Sequence, residues 1–183
     1  MPDHPSAASP RARHIVLVGL PGAGKSTVGR AAAPRLGRPF LDFDEEIERR
    51  TAMSVAELFA RWGEPRFRAL ERELTRELLH APPMVLAPGG GWIANADMVA
   101  LLRPSARIIY LRLRPETALA RLGDAALSRP LLRVSDPLAE LRRLLDRRAA
   151  HYLAADHVLD VDLIGVQEVT DLVVRVAGSP GAD

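Results

Sequence analysis

Residues 19–27 read GLPGAGKST, directly after the apolar run HIVLVGL at 14–20 and directly before a stretch of helical periodicity. Two glycines separated by four residues, followed by Lys-Ser at a strand-to-helix turn, form a phosphate-binding loop. A strand that feeds a helix in this way can pair with a parallel neighbour only through a crossover, so the loop commits the chain to an α/β sheet.

The chemistry explains the residue types. Glycines let backbone N–H groups turn inward around a polyphosphate, and the following helix aims its positive end at the same charge. The expected ATP-binding residues are therefore Gly22, Ala23, Gly24, Lys25, Ser26 and Thr27. Lys25 is placed to reach the β and γ phosphates, and Ser26 to offer its hydroxyl to Mg²⁺. Of the 25 Lys and Arg residues, Lys25 is the only lysine. Elsewhere the chain uses the planar guanidinium; here it keeps a compact ammonium on a flexible stem.

Four more apolar runs follow, RPFLDFD at 38–44, PMVLAPG at 83–89, RIIYLRL at 107–113 and DHVLDVD at 156–162, each separated by longer amphipathic stretches. Strand and helix in alternation predict a parallel sheet covered on both faces. A helix is expected over 25–36, ended by Gly37. The segment 44–80 is too long for one crossover helix and is broken by Gly63 and Pro65. After Pro65, Leu70, Leu74, Leu78 and Leu79 form an apolar face, which leaves Arg68, Glu71, Arg72 and Arg76 on the solvated side. In a helix over 137–152, Leu138, Leu141, Leu144 and Leu145 face inward and the arginines outward.

A phosphate loop alone does not choose among GTPase, motor ATPase and small-molecule kinase. An Asn-Lys-x-Asp base-reading motif is impossible with the single lysine already used. The third strand lacks the terminal Asp of a usual Walker B strand, so a magnesium carboxylate must come from elsewhere. Asp42 and Asp44, two apart at the end of the second apolar run, fill that need: on a strand their side chains share one side, one for the metal and one for a hydroxyl proton. The same residues also suit an ordinary acidic helix start.

The joint pattern resembles the shikimate kinase family. It is carried by GLPGAGKSTVGR at 19–30, FLDFDEEIE at 40–48, MSVAELFARWGEPRFRALE at 53–71, GGG at 89–91, SRPLL at 128–132 and RRAAHY at 147–152. The resemblance implies a three-layer αβα sandwich whose five parallel strands run in the order 2-3-1-4-5, with substrate-binding helices and a mobile lid. It implies ATP-dependent phosphorylation of shikimate, with Asp44 as base and Asp42 as indirect contact to Mg²⁺. Arg68 and Arg148 become the clamp on the substrate carboxylate, with Arg147 as the neighbouring competitor. Gly89, Gly90 and Gly91 become the substrate-facing loop, Arg129 the catalytic lid arginine, and Arg121 the residue near the adenine. Two planar guanidiniums suit one carboxylate because each matches it bidentately.

Two residues depart from the family pattern. Pro88 stands where a small hydroxyl residue is usual, and Trp92 is large for a position beside a substrate pocket; either would narrow the site or shift its ligand. They keep a gluconate kinase-like enzyme and a ligand-sensing domain as alternative readings.

Other function classes are excluded more simply. With no cysteine the chain has no disulfide, thiolate nucleophile or Cys-based metal site. A net charge of +2 with mixed signs does not form a nucleic-acid-binding stripe. No apolar run approaches the roughly 18 residues of a membrane span. The expectation is a cytoplasmic monomer, in contact with neither membrane nor nucleic acid, comprising one domain over 14–177 between a disordered leader at 1–13 and a disordered tail at 178–183.

Overall fold

The computed structural model describes residues 13–178. The expected leader and tail lie, apart from Arg13 and Gly178, outside the described residues. Arg13 is already held, its carbonyl accepting from Arg38 at 2.7 Å.

Five strands form one parallel sheet in the order β2-β3-β1-β4-β5. They are β1 (His14–Val18), β2 (Phe40–Asp42), β3 (Val85–Ala87), β4 (Ala106–Arg112) and β5 (His157–Asp160). β1 lies at the centre, with Ile15 opposite Val85 on one side and Arg107 on the other. All five residues of β1 are buried, as a strand covered on both faces requires. The helices α1 (Lys25–Arg35), α2 (Phe43–Thr51), α3 (Val55–Leu78), α4 (Ala96–Leu102), α5 (Pro115–Leu122), α6 (Pro137–Leu153) and α7 (Val166–Gly178) cover both sides. One core runs through the sheet and these helices, and a smaller one of Ile47, Leu58 and Phe67 joins α2 to α3.

Several boundaries differ from the expected ones for identifiable reasons. β2 stops at Asp42 because that side chain caps the next helix: its Oδ1 accepts from the backbone of Asp44 at 3.0 Å and of Glu45 at 3.3 Å. Asp44 therefore stands in the first turn of α2 and not on a strand. α1 ends as expected, with Gly37 at φ +62° beyond it. α3 opens on a reciprocal Ser54–Glu57 capping box and kinks at Gly63, whose φ of 75° and ψ of 173° no helix accepts.

The apolar face of α3 includes Leu74 and Leu78, but Leu79 is 36% exposed at the helix end. Glu71, expected on the solvated side, is fully buried. α7 extends through Gly178 because the helix continues to pack; the Arg107 guanidinium reaches back to its Val176 carbonyl at 2.7 Å.

Candidate active site

The loop leaving β1 turns through Gly22 and Gly24, both at φ +85°. At Gly22 a Cβ would also collide with the Ala118 carbonyl, so both the conformation and the space demand glycine. α1 begins without a side-chain cap, which leaves its first N–H groups open toward the cavity. Lys25 Nζ lies inside the turn and donates to the carbonyls of Gly19 and Leu20 at 3.0 and 3.1 Å. Burial lowers Lys25 to about 8, helped by the nearby Arg129 and opposed by Asp44 and Asp42.

Ser26 and Asp42 meet across the cavity floor, where Oγ donates to Oδ2 at 2.5 Å. The two expected metal-side residues are thus together, and Asp42 does double duty as helix cap. A cavity of about 640 Å³ spreads over residues 21–28. Arg121, Leu122, Ile164, Val166 and Val169 line another part of it. Arg121 is anchored there by donating to the Val161 carbonyl at 2.6 Å.

A second cavity, of about 240 Å³, is lined by Arg68, Arg148, Gly91, Phe59 and Phe67 among others. Pro21, Asp44, Gly89, Gly90 and Arg129 belong to both cavities. Asp44 and Arg129 therefore stand where a molecule in one space meets a molecule in the other. The segment carrying Arg129 is folded into two short 3-10 helices, Gly123–Ser128 and Pro130–Leu132, on either side of it.

Arg68 is braced by two acids. Nη1 donates to Glu71 Oε2 at 2.6 Å, while Nε and Nη2 share Glu64 Oε1 at 3.1 and 2.7 Å. A guanidinium has five N–H groups, so these three bonds leave one on each terminal nitrogen for a ligand. On α6, Arg148 is only 7% exposed, and its Nη1 lies 3.1 Å from where a Cβ of Gly90 would stand. Arg147 points away and pairs with Glu140 at 3.1 Å, its side chain 58% exposed. Of the two adjacent arginines, only Arg148 faces the cavity.

The glycine turn fits between these groups. A Cβ on Gly91 would strike the Arg68 guanidinium, and one on Gly89 would lie 2.9 Å from Glu71 Oε1 and 3.4 Å from Asp44 Oδ1. Those two oxygens are buried and accept no hydrogen bond among the described residues. Burial raises both carboxyls, Glu71 to about 7 despite Arg68, and the neighbouring Asp42 raises Asp44 further. Unpartnered buried acceptors are costly, and hydroxyl groups of a ligand would satisfy them.

Sequence reasoning missed Glu71 and Glu64 as braces of Arg68. The signal was present in their spacing, three residues after and four residues before the arginine, which puts all three on one stretch of helix surface. Trp92 does not face the pocket. Its side chain is fully buried, with Nε1 donating to Thr75 Oγ1 at 3.1 Å. The expected narrowing by Trp92 is therefore absent, because the short 3-10 helix Trp92–Ala94 turns the indole toward α3. Pro88 is buried and lines the nucleotide-side cavity, ahead of the glycine turn.

A parallel sheet with a phosphate loop at the end of its central strand, joined through one half-buried carboxyl to a second pocket that presents two arginines, is the architecture of a P-loop small-molecule kinase. The family model for shikimate kinase matches residues 21–177. A shikimate kinase of Caldanaerobacter subterraneus subsp. tengcongensis is 39% identical over 163 residues, 89% of this chain and 95% of that protein. The structure of shikimate kinase from Acinetobacter baumannii in complex with shikimate superposes with a TM-score of 0.85 at 36% identity, covering 90% of this chain and 92% of that one. A gluconokinase from Sinorhizobium meliloti, at 18% identity and a TM-score of 0.57 over 91% of this chain and 92% of that one, shares the fold alone. The chain belongs to the shikimate kinase family.

Proposed function

We infer that the protein transfers the γ-phosphoryl group of ATP to the 3-hydroxyl of shikimate, giving shikimate 3-phosphate and ADP. The observation that carries this reading is the junction of the two cavities at Asp44, Gly89, Gly90 and Arg129. A triphosphate over the loop and an acid held by arginines then meet at one point, which is most of what phosphoryl transfer asks of a protein.

In the proposed mechanism Arg68 and Arg148 hold the substrate carboxylate and fix the ring. Asp44 orients the attacking hydroxyl and accepts its proton. Its raised pKa suits a base that must also release that proton. Lys25 exchanges the Gly19 and Leu20 carbonyls for the β and γ phosphates, and Arg129 neutralises charge on the group in transit. Arg121, on the lining of the cavity over the phosphate loop, would flank the adenine.

Ser26 Oγ and Asp42 Oδ2 offer converging hard oxygens beside the phosphate loop, a donor set that suits Mg²⁺. Among the described residues no cluster of three or more His, Cys, Asp or Glu could hold a metal ion. Held by Ser26 and Asp42, Mg²⁺ would draw off charge that develops on the phosphates.

The proposal is of a monomer acting in the cytoplasm, where ATP is supplied. Among the described residues, no helix is long and apolar enough to cross a membrane. A coupled ADP-release assay offering ATP with shikimate, quinate or gluconate tests the substrate. Turnover with shikimate is expected; turnover with gluconate and none with shikimate would overturn the reading.

A further inference from the structure

We propose that Trp92 and Thr75 are a positioning pair, which pins the glycine turn to α3 and so sets how tightly the acid is held. The proposal rests on the reading that the cavity around Arg68 takes shikimate. Trp92 and Thr75 are each fully buried, and Trp92 belongs to the main apolar core. A buried indole N–H needs an acceptor, and here it donates to Thr75 Oγ1 at 3.1 Å. The same hydroxyl donates to the Glu71 carbonyl at 2.7 Å.

The placement matters because of what lies beside it. Thr75 stands four residues after Glu71 and seven after Arg68, on the same face of α3. Trp92 closes the glycine turn with its own backbone, donating N–H to the Gly89 carbonyl at 3.0 Å. One residue thus ties the turn to itself and to the helix that carries both acid-site groups. On the other side, Tyr152, four residues after Arg148 on α6, donates to the Gly90 carbonyl at 3.3 Å.

The turn is anchored on both clamp helices, with no spare room: Gly89 abuts Glu71, and Gly91 abuts Arg68. Slack of a few tenths of an ångström in the turn would therefore be felt first by the carboxylate clamp. A small residue at position 92 would have no donor to reach Thr75. The large residue that departs from the family pattern is, in this chain, a tether and not an obstruction.

Two substitutions at Thr75 separate the tether from simple packing. Thr75→Val keeps the shape and removes the hydroxyl, whereas Thr75→Ser keeps the hydroxyl and loses a methyl. The Val variant is expected to raise the shikimate KM about tenfold, the equivalent of one lost hydrogen bond, with kcat and ATP KM within about twofold. The Ser variant is expected to stay within about twofold on every parameter.

If core packing alone were at stake, Ser would be the worse of the two and neither would separate the substrates. An unchanged shikimate KM in the Val variant, or a parallel rise in both KM values, would overturn the proposal. Should the Val variant not fold, Trp92→Phe removes the donor from the other side, and the same selective rise in shikimate KM is required of it. Wild-type protein that does not turn over shikimate would refute the kinase reading. An active wild type with flat Val, Ser and Phe variants would refute the tether alone.

Discussion

Glu71 grips Arg68 at 2.6 Å through Oε2 and turns its other oxygen, which accepts no hydrogen bond among the described residues, toward Gly89. Burial pushes this carboxyl up from an ordinary 4.5 to about 7. Between those two values the folded protein holds a proton that the unfolded chain has released. Stability therefore falls as pH rises through this window and is level above it, by on the order of 3 kcal/mol. Glu71→Gln cannot ionise, so its urea midpoint should change much less between about pH 5 and pH 7. The raised Asp44 leaves a residual slope of the same sign. Equal slopes in wild type and variant would show that Glu71 is not the group responsible.

Arg68 lines the acid cavity and not the nucleotide cavity. Arg68→Ala should accordingly raise the shikimate KM by roughly ten- to a hundredfold, the range for a lost charged hydrogen bond. ATP KM should move by less than about twofold. Comparable rises in both would mean that Arg68 holds α3 in place and not the substrate.

The difference between Arg68 and its brace shows what the sequence makes legible. The phosphate loop could be read directly, because its glycines, lysine and serine are demanded by local backbone geometry and by one ligand. The strand order comes with the resemblance, whereas the alternation of apolar runs gives the parallel sheet alone. The burial of Glu71 was not legible, because helical periodicity assigns a charge to the solvated face, and only the packing of a glycine turn against α3 reverses that. Arg147 and Arg148 are adjacent, and the sequence cannot choose between them; the rotation of α6 does, putting one against Gly90 and the other against Glu140. For Asp42 and Asp44, the shared strand face expected from their spacing is replaced by a helix start. They lie together because Asp42 caps α2 and Asp44 stands in its first turn.

Asp44 is the half-buried carboxyl shared by both cavities, so Asp44→Asn should lower kcat by about a hundredfold or more while the fold is retained. In wild type, burial and Asp42 raise its pKa above the ordinary 3.8. The acid limb of the kcat profile should thus begin at a higher pH than a solvated carboxylate would give, because activity is lost as pH falls through the raised value. A variant with near-normal kcat would remove Asp44 from the role of base.

Lys25 lies within the loop it serves, its ammonium held by two carbonyls of the turn at 3.0 and 3.1 Å. That space suits one small cation, which must also swing out to bridge the β and γ phosphates. A guanidinium carries the same charge but is wider, planar and always fully ionised, whereas this lysine is lowered to about 8. The 24 arginines elsewhere show that the chain accepts Arg wherever a fork or a simple charge suffices. Lys25→Arg should consequently cut kcat by at least about a hundredfold, although it preserves charge. Thermal melting with and without ATP separates the causes: an unchanged melting temperature without nucleotide, combined with the lost turnover, places the defect at the phosphates. Near-normal kcat in this variant would refute the claim that the loop requires an ammonium.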